Sequence, residues 1–250
     1  MMKNLQKIGG IAALIGAATN LLAIVMFITL APKGYGSDDP GQAVTFFADN
    51  QALMRVLYQI QYLVFGVSLI FLALALHERL KAGSPLLVQA VTIFGLIWAF
   101  LVIVIGTLAI NNLSTVVKLY GENPAQAATV WLTLNSVETG LGGGGGETMV
   151  NAVWFLLLSW AALQARALPR VLNYLGLVIG GAGVISVVLA ALGLMVVYGV
   201  GLIIWLVWVG IVLLLRPATT VKEANPSDDS ALEAATLQQR VAVEVATLHP

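Results

Sequence analysis

Polar side chains stand at the ends of long apolar segments of this chain, and they are its best candidates for chemistry. Arg55, Gln59 and Tyr62 follow the spacing i, i+4 and i+7, so an α-helix would place them on one face. Glu147 and Asn151 repeat the first step of that spacing at the start of another apolar segment. Guanidinium, amide, phenol and carboxylate groups form hydrogen bonds and ion pairs, so the chemistry they indicate is recognition of a ligand.

Further polar residues lie between these two segments. Asn135 and Glu138 are spaced i, i+3 in a moderately apolar stretch, and Asn111 and Asn112 end the apolar segment before it. Polar groups inside or beside membrane segments usually face a bundle interior or a cavity. We therefore predict one pocket that collects these groups, with the ligand-binding residues Arg55, Gln59, Tyr62, Asn135, Glu138, Glu147 and Asn151.

Two interpretations of the charged members of this pocket remain open. In the first, Arg55 is paired with Glu138 or Glu147 inside the pocket. In the second, the Arg55 side chain extends to the membrane surface and the carboxylates are solvated, as is common for charges at helix ends.

The glycine run at 142–146, directly before Glu147, also has two interpretations. Consecutive backbone N–H groups at a helix N-terminus could bind an anion. Glu147 already places a negative charge there, and no phosphate-binding motif surrounds the run. A hinge or a tight bend is therefore the favoured interpretation.

Six apolar runs must position these residues. Each run lacks Asp, Glu, Lys and Arg, in a chain that is 59% hydrophobic and 10% charged. About 20 apolar residues in a row cross a bilayer as a helix, and the runs lack the alternation of barrel strands. We therefore predict an all-α polytopic membrane protein with six transmembrane helices. The runs are Ile8–Leu30, Val56–Leu76, Leu86–Ile110, Met149–Ala165, Val171–Leu192 and Gly199–Leu215, and the predicted spans are 8–30, 54–76, 86–110, 148–165, 171–192 and 199–216.

The connections between the spans carry three further predictions. Residues 171–215 are too many for one crossing, and their glycines predict a turn between Gly193 and Gly201. The third span is expected to extend past residue 110. The polar residues within 125–141 predict a re-entrant or interfacial helix before the fourth span.

Basic residues orient the bundle, because short cytoplasmic connections are enriched in them. With the N-terminus inside, nine Lys and Arg residues lie in cytoplasmic segments, and three, Lys33, Arg55 and Lys118, lie outside. We therefore expect both termini in the cytoplasm and the pocket on the outer face. Residues 217–250 form a polar cytoplasmic tail, where an amphipathic helix over 230–248 is one interpretation and a mostly disordered tail is the other.

Several classes of function lack the residues they need. The chain has no cysteine, and its histidines, His77 and His249, lie outside the predicted spans. No lysine lies within a span and no carboxylate lies near the centre of one, which argues against a retinal-type Schiff base and a proton relay. We expect no cofactor, no metal and no catalytic residues. The formal net charge of zero, without a basic cluster, argues against a nucleic-acid partner.

A resemblance to a known family rests on three stretches of sequence. They are WLTLNSVETGLGGGGGETMVNAVWFLLLSWAAL, which begins at Trp131, then Leu168-Pro169-Arg170, and finally GLIIWLVWVGIVLLL. Together they resemble a bacterial family of multi-pass membrane proteins that is described as a domain of unknown function, over about residues 5 to 216. The resemblance implies a six-helix integral protein of the bacterial cytoplasmic membrane and no established activity.

The sequence therefore predicts a non-enzymatic membrane protein that binds a ligand or takes part in a membrane complex. Its expected partners are the lipid bilayer, a lipid or small apolar ligand, and other membrane subunits or copies of itself. The alternative is a small transporter of an apolar or amphipathic solute, which requires a cavity that reaches the midplane near Trp98 and Trp205. A lipid-modifying enzyme is a weaker alternative, since a base and a metal site are missing.

Overall fold

The computed structural model of the chain describes residues 2–143, 145–189 and 192–215, and its regular elements there are helical. A short 3-10 turn, Ala31–Lys33, follows the first helix. In chain order the main elements are α1 (Met2–Leu30), α2 (Pro40–Asp49), α3 (Gln51–Tyr58), a π-helical segment (Gln59–Val64), α4 (Phe65–Leu80), α5 (Pro85–Glu122), α6 (Pro124–Leu141), α7 (Gly146–Ala165), α8 (Arg170–Leu189) and α9 (Leu192–Leu215).

Six helical segments in the described ranges are long and apolar enough to cross a membrane. This confirms the predicted all-α class and the multi-pass membrane character of the chain. The helix predicted before the fourth span is α6. Together, α6 and α7 make up one of the six segments, Pro124–Ala165. The six segments are Asn4–Lys33, Gln51–Leu80, Pro85–Glu122, Pro124–Ala165, Arg170–Leu189 and Gly193–Leu215.

The membrane helices pack in a closed ring in which each contacts its two neighbours, in the order α1, α4, α5, α7, α8, α9 and back to α1. Small residues allow this close approach, as is usual between membrane helices. A Cβ atom added to Gly9 of α1 would lie 2.1 Å from the Cβ of Ala75 in α4. One added to Gly180 of α8 would lie 2.8 Å from the carbonyl oxygen of Ala152 in α7. Both glycines therefore lie at helix contacts.

One end of the ring is covered by a layer that we call the cap, made of α2, α6 and residues 111–122 of α5. The 38 residues of α5 span about 57 Å, well beyond a hydrocarbon core of about 30 Å. The third helix therefore extends past residue 110, as expected. Its final turns pack against the cap helices through Val44, Val116 and Ala127.

Helix α2 was not predicted, although its start carries a recognisable signal. Asp39 is the N-cap, and its carboxylate accepts a hydrogen bond from the backbone N–H of Gly41 at 2.8 Å. Pro40 occupies the first helical position, where its fixed φ suits a helix start. Buried Phe46 and Phe47 hold the helix on the bundle.

The opposite end of the ring, which we call the base, joins α4 to α5 and α7 to α8. Arg79 Nε donates a hydrogen bond to the carbonyl oxygen of Ala167 at 2.9 Å, so the two base connections are tied together. Above them lies a core of leucines from four helices, among them Leu76, Leu80, Leu158 and Leu172, all fully buried.

The predicted turn between Gly193 and Gly201 is wrong, because these residues lie inside α9. Glycine is tolerated within a membrane helix where a neighbour approaches closely. A Cβ atom on Gly201 would lie 2.8 Å from Ile179 Cγ1 of α8. Helix α8 ends at Leu189, and α9 begins at Leu192. The predicted cytoplasmic tail, 217–250, and its predicted helix at 230–248 lie outside the described residues.

Candidate functional site

A cavity of about 650 Å³ lies beneath the cap. Helices α1, α4, α5, α7 and α9, together with the cap helices and the π-helical segment, contribute to its wall. The cavity extends inward to Asn20 of α1 and Trp98 of α5. Asn20 lies ten residues before the end of α1, which corresponds to a depth of about 15 Å.

Two carboxylates face this cavity, and each accepts a hydrogen bond from a neighbouring helix. Glu138 of α6 accepts one from Asn112 Nδ2 of α5. Glu147, in the first turn of α7, accepts one from Trp98 Nε1 of α5. Both glutamates are half-buried. Among the described residues that line the cavity, none is Lys, Arg or His.

Two buried amide oxygens in the wall are without a hydrogen-bond partner within the described protein. They are Asn151 Oδ1 and Gln61 Oε1. Asn151 is fully buried, and its Nδ2 donates to the hydroxyl of Tyr198 in α9. A buried acceptor without a donor destabilises a fold by about 1–3 kcal/mol, so such atoms in a cavity wall indicate a place for a donor from outside the chain.

Aromatic rings form the side walls and the floor. At the mouth, Phe47 and Trp131 lie 4.6 Å apart between ring centroids, and Tyr58 and Tyr62 lie 6.0 Å apart. Tyr35 lies outside the six membrane segments, and burial raises the pKa of its phenol, so that group stays neutral at physiological pH.

The floor of the cavity is a closed aromatic cluster. Trp98 contacts Trp154 at 5.3 Å, and Trp154 contacts Trp205 at 5.8 Å, measured between ring centroids. Phe155 lies 5.0 Å from Trp205 and completes the layer. These side chains are almost fully buried. The floor therefore separates the cavity from the leucine core towards the base.

The structure brings five of the seven predicted pocket residues to the cavity wall. They are Tyr62, Asn135, Glu138, Glu147 and Asn151. Arg55 and Gln59 are exposed and do not line the cavity. The first interpretation, in which Arg55 is paired with Glu138 or Glu147, is wrong, because Arg55 Nη2 instead donates to Ser114 Oγ of α5 at 2.7 Å.

The π-helical segment explains why Tyr62 lines the cavity although Arg55 and Gln59, predicted to lie on the same helical face, do not. Its wider turn changes the angle between successive side chains, so the i, i+4, i+7 relation between Arg55 and Tyr62 no longer holds. A Cβ atom on Gly106 would lie 2.2 Å from Tyr62 Cβ, so glycine in α5 leaves room for the segment. Tyr58 and Gln61 line the wall beside Tyr62.

Several residues of the cavity wall were missed by the sequence analysis. Tyr58, Gln61, Trp98, Trp131 and Tyr198 were not among the predicted pocket residues. Tyrosine and glutamine within an apolar run are a signal that could have identified Tyr58 and Gln61. Nothing in the sequence indicates that Tyr198 lies beside Asn151, 47 residues away.

The glycine run forms a tight connection between α6 and α7. Gly142 N–H donates to the carbonyl oxygen of Glu138, and Gly145 N–H donates to that of Gly142, both at 2.8 Å. A Cβ atom on Gly145 would lie 2.0 Å from the carbonyl oxygen of Gly140. The bend therefore requires glycine there, in agreement with the favoured interpretation.

Comparison with known proteins gives one match. The family model described as "Domain of unknown function (DUF4386)" matches residues 8–216, which is most of the chain and includes every wall of the cavity. No curated protein and no solved structure matches the chain. The family resemblance found in the sequence is thereby confirmed: the chain belongs to the DUF4386 family, a domain of unknown function.

Proposed function

We propose that this protein is a non-enzymatic membrane protein that binds an amphipathic small molecule beneath its cap. The observation that carries the proposal is the cavity itself. Its volume of about 650 Å³ lies within the range of about 300–1,000 Å³ that is typical of small-molecule sites. Its walls combine aromatic rings with a few polar groups, which is also typical of such sites.

The proposal includes the orientation of the cavity. Arg79, Lys81, Arg166 and Arg170 cluster at the base, and basic residues favour the cytoplasmic side. The cap would then face the outside of the bacterial cytoplasmic membrane, with α6 seated at the outer interface or re-entering the membrane. A reporter fused after Tyr120 is expected to give an external signal, and a cytoplasmic signal there would overturn this orientation.

Binding is favoured over passage because the aromatic floor closes the cavity. Transport of an amphipathic solute is the second candidate, and the observation that favours it is the depth of the cavity, which reaches Trp98. Transport would additionally require the floor to open. Uptake of a bound probe into proteoliposomes would therefore distinguish the two functions.

The test of binding compares two substitutions on one helix. Leu202 of α9 lines the cavity, whereas Ile204 is 50% exposed on the outer surface of the ring. Purified wild type, Leu202→Trp and Ile204→Trp would be titrated with a cationic, an anionic and a neutral probe: tetraphenylphosphonium, tetraphenylborate and N-phenyl-1-naphthylamine. Thermal unfolding and intrinsic tryptophan fluorescence would report binding.

We expect saturable binding of at least one probe to wild type and to Ile204→Trp, with a loss of at least tenfold in affinity in Leu202→Trp. Thr139→Trp fills the cavity from α6 and replaces Leu202→Trp if that variant does not fold. Equal binding by the cavity-filling and surface variants would overturn the proposal, and so would absence of saturable binding by all three probes.

A further inference from the structure

The charges of the cavity wall have one sign. Glu138 and Glu147 contribute carboxylates, and the described lining contains no Lys, Arg or His to balance them. Arg55 donates a hydrogen bond to Ser114 and does not line the cavity. Carboxylates in surroundings of low polarity attract a cation strongly, because the medium screens their field poorly. A ligand of positive charge would therefore complement this wall, and an anion would be repelled by it.

The hydrogen-bonding groups point to the same ligand. Amide and indole nitrogens of the wall donate within the protein: Trp98 to Glu147, Asn151 to Tyr198, and Asn20 to the carbonyl oxygen of Gly16 at 2.9 Å. Among the described residues that line the cavity, the buried groups left without partners are acceptors, Asn151 Oδ1 and Gln61 Oε1. Trp154 Nε1, an unpartnered donor of the floor, does not line the cavity. Asn151 is fully buried, so its free oxygen can be satisfied only from the cavity or by rearrangement. A wall of unused acceptors is suited to a ligand that donates N–H groups or presents a positive C–H surface.

The aromatic walls suit a positive charge that carries apolar groups. The faces of Trp, Tyr and Phe rings attract cations, with Trp the strongest. Trp98 combines such a ring with a hydrogen bond to Glu147, so aromatic and anionic groups meet at one place on the floor. Trp131, Phe47 and Tyr62 provide further rings around the cavity.

We propose that this cavity selects an amphipathic organic cation, that is, an amine, quaternary ammonium or phosphonium centre that carries aliphatic or aromatic substituents. The inference rests on the proposed function and names its ligand class. A bare metal ion fits the wall less well. No group of three acidic or histidine side chains is gathered within the described ranges, and most of the wall is apolar.

The experiment uses two probes of the same shape and opposite charge, tetraphenylphosphonium and tetraphenylborate, with purified full-length protein. Wild type is compared with the double variant Glu138→Gln/Glu147→Gln. Glutamine retains a carbonyl oxygen that can accept from Asn112 and Trp98, so the change removes charge with little change of shape. Glu122→Gln is the matched control, because Glu122 is exposed at the cap end of α5 and does not line the cavity.

We expect wild type and Glu122→Gln to bind the cation at least tenfold more tightly than the anion. In the double variant the affinity for the cation should fall at least tenfold, while N-phenyl-1-naphthylamine binds as before. An unchanged preference in the double variant would overturn the cation inference, as would tighter binding of the anion by wild type. Either result leaves cavity binding itself intact, whereas a failure of Leu202→Trp to reduce binding of any probe refutes the proposed function.

Discussion

The base half and the cap half of the bundle use the same six helices in different ways. Towards the base, Leu76, Leu80, Leu158 and Leu172 fill the ring completely. Towards the cap, the same ring encloses a cavity of about 650 Å³ whose wall carries two carboxylates and several amides. The aromatic floor around Trp98 separates the two regions.

The difference shows where stability and function are located in this fold. Close packing in the base half rests mainly on apolar and small side chains, such as the fully buried leucines. The cap half retains groups that destabilise a packed interior, such as the unpartnered Asn151 oxygen. Substitutions in the base half should therefore affect stability, and substitutions in the cap half should chiefly affect binding.

The largest expected effect is a difference in the free energy of unfolding between alanine variants of two leucines, one in each half of the bundle. Leu158 is fully buried in the base half, whereas Leu202 has the cavity on one side. We expect Leu158→Ala to lower the free energy of unfolding by about 3–4 kcal/mol and Leu202→Ala by about half as much, because Leu202 has fewer packing partners to lose. Reversible unfolding in mixed micelles would measure both, and equal losses would contradict the contrast.

A pair of adjacent glycines gives the next largest effect. Gly180 faces the carbonyl oxygen of Ala152 at the α7–α8 contact, whereas nothing lies within 4 Å of a Cβ atom on Gly181. We expect Gly180→Leu to destabilise the protein by about 2–3 kcal/mol through overpacking. Gly181→Leu should change the stability by less than about 0.5 kcal/mol. A similar melting temperature for both variants would show that the helices are not in close contact there.

Substitution by phenylalanine should reduce the stability by different amounts at two tryptophans of the floor. Trp98 Nε1 donates to Glu147, whereas Trp154 Nε1 has no partner in the described structure. Trp98→Phe loses a hydrogen bond to a carboxylate, so we expect it to be about 1–2 kcal/mol more destabilising than Trp154→Phe. Thermal unfolding of the two variants measures this difference. If Trp154→Phe were the more damaging, the hydrogen bond would not be important for the floor.

The smallest effect is expected at Arg55. Its exposed side chain is bonded to Ser114 and does not line the cavity. We expect Arg55→Gln to change the stability by less than about 0.5 kcal/mol and to leave probe affinity within twofold of wild type. Titration with tetraphenylphosphonium measures the affinity. A tenfold change in affinity would mean that Arg55 belongs to the site, contrary to the geometry.

Part of the site could be predicted because polar residues inside or beside membrane segments usually face a bundle interior or a cavity. Glu138, Glu147 and Asn151 stood out for this reason, and all three line the cavity. Arg55 and Gln59 were selected by the same rule together with ideal helical spacing. The spacing did not hold, since the π-helical segment at 59–64 breaks the α-helical repeat. A π turn depends on the neighbour that accommodates it, here Gly106.

The sequence by itself determined that this chain is an all-α membrane protein with six long apolar helical segments, because about 20 uncharged residues in a row have few other stable environments. The sequence also identified the two carboxylates, Glu138 and Glu147, as candidate pocket residues. Only the tertiary structure decided that those carboxylates share one wall, that Tyr198 bonds to Asn151, and that Arg55 is outside. These relations join residues far apart in sequence, and they depend on how the helices are rotated and how closely they pack. Hydropathy constrains neither.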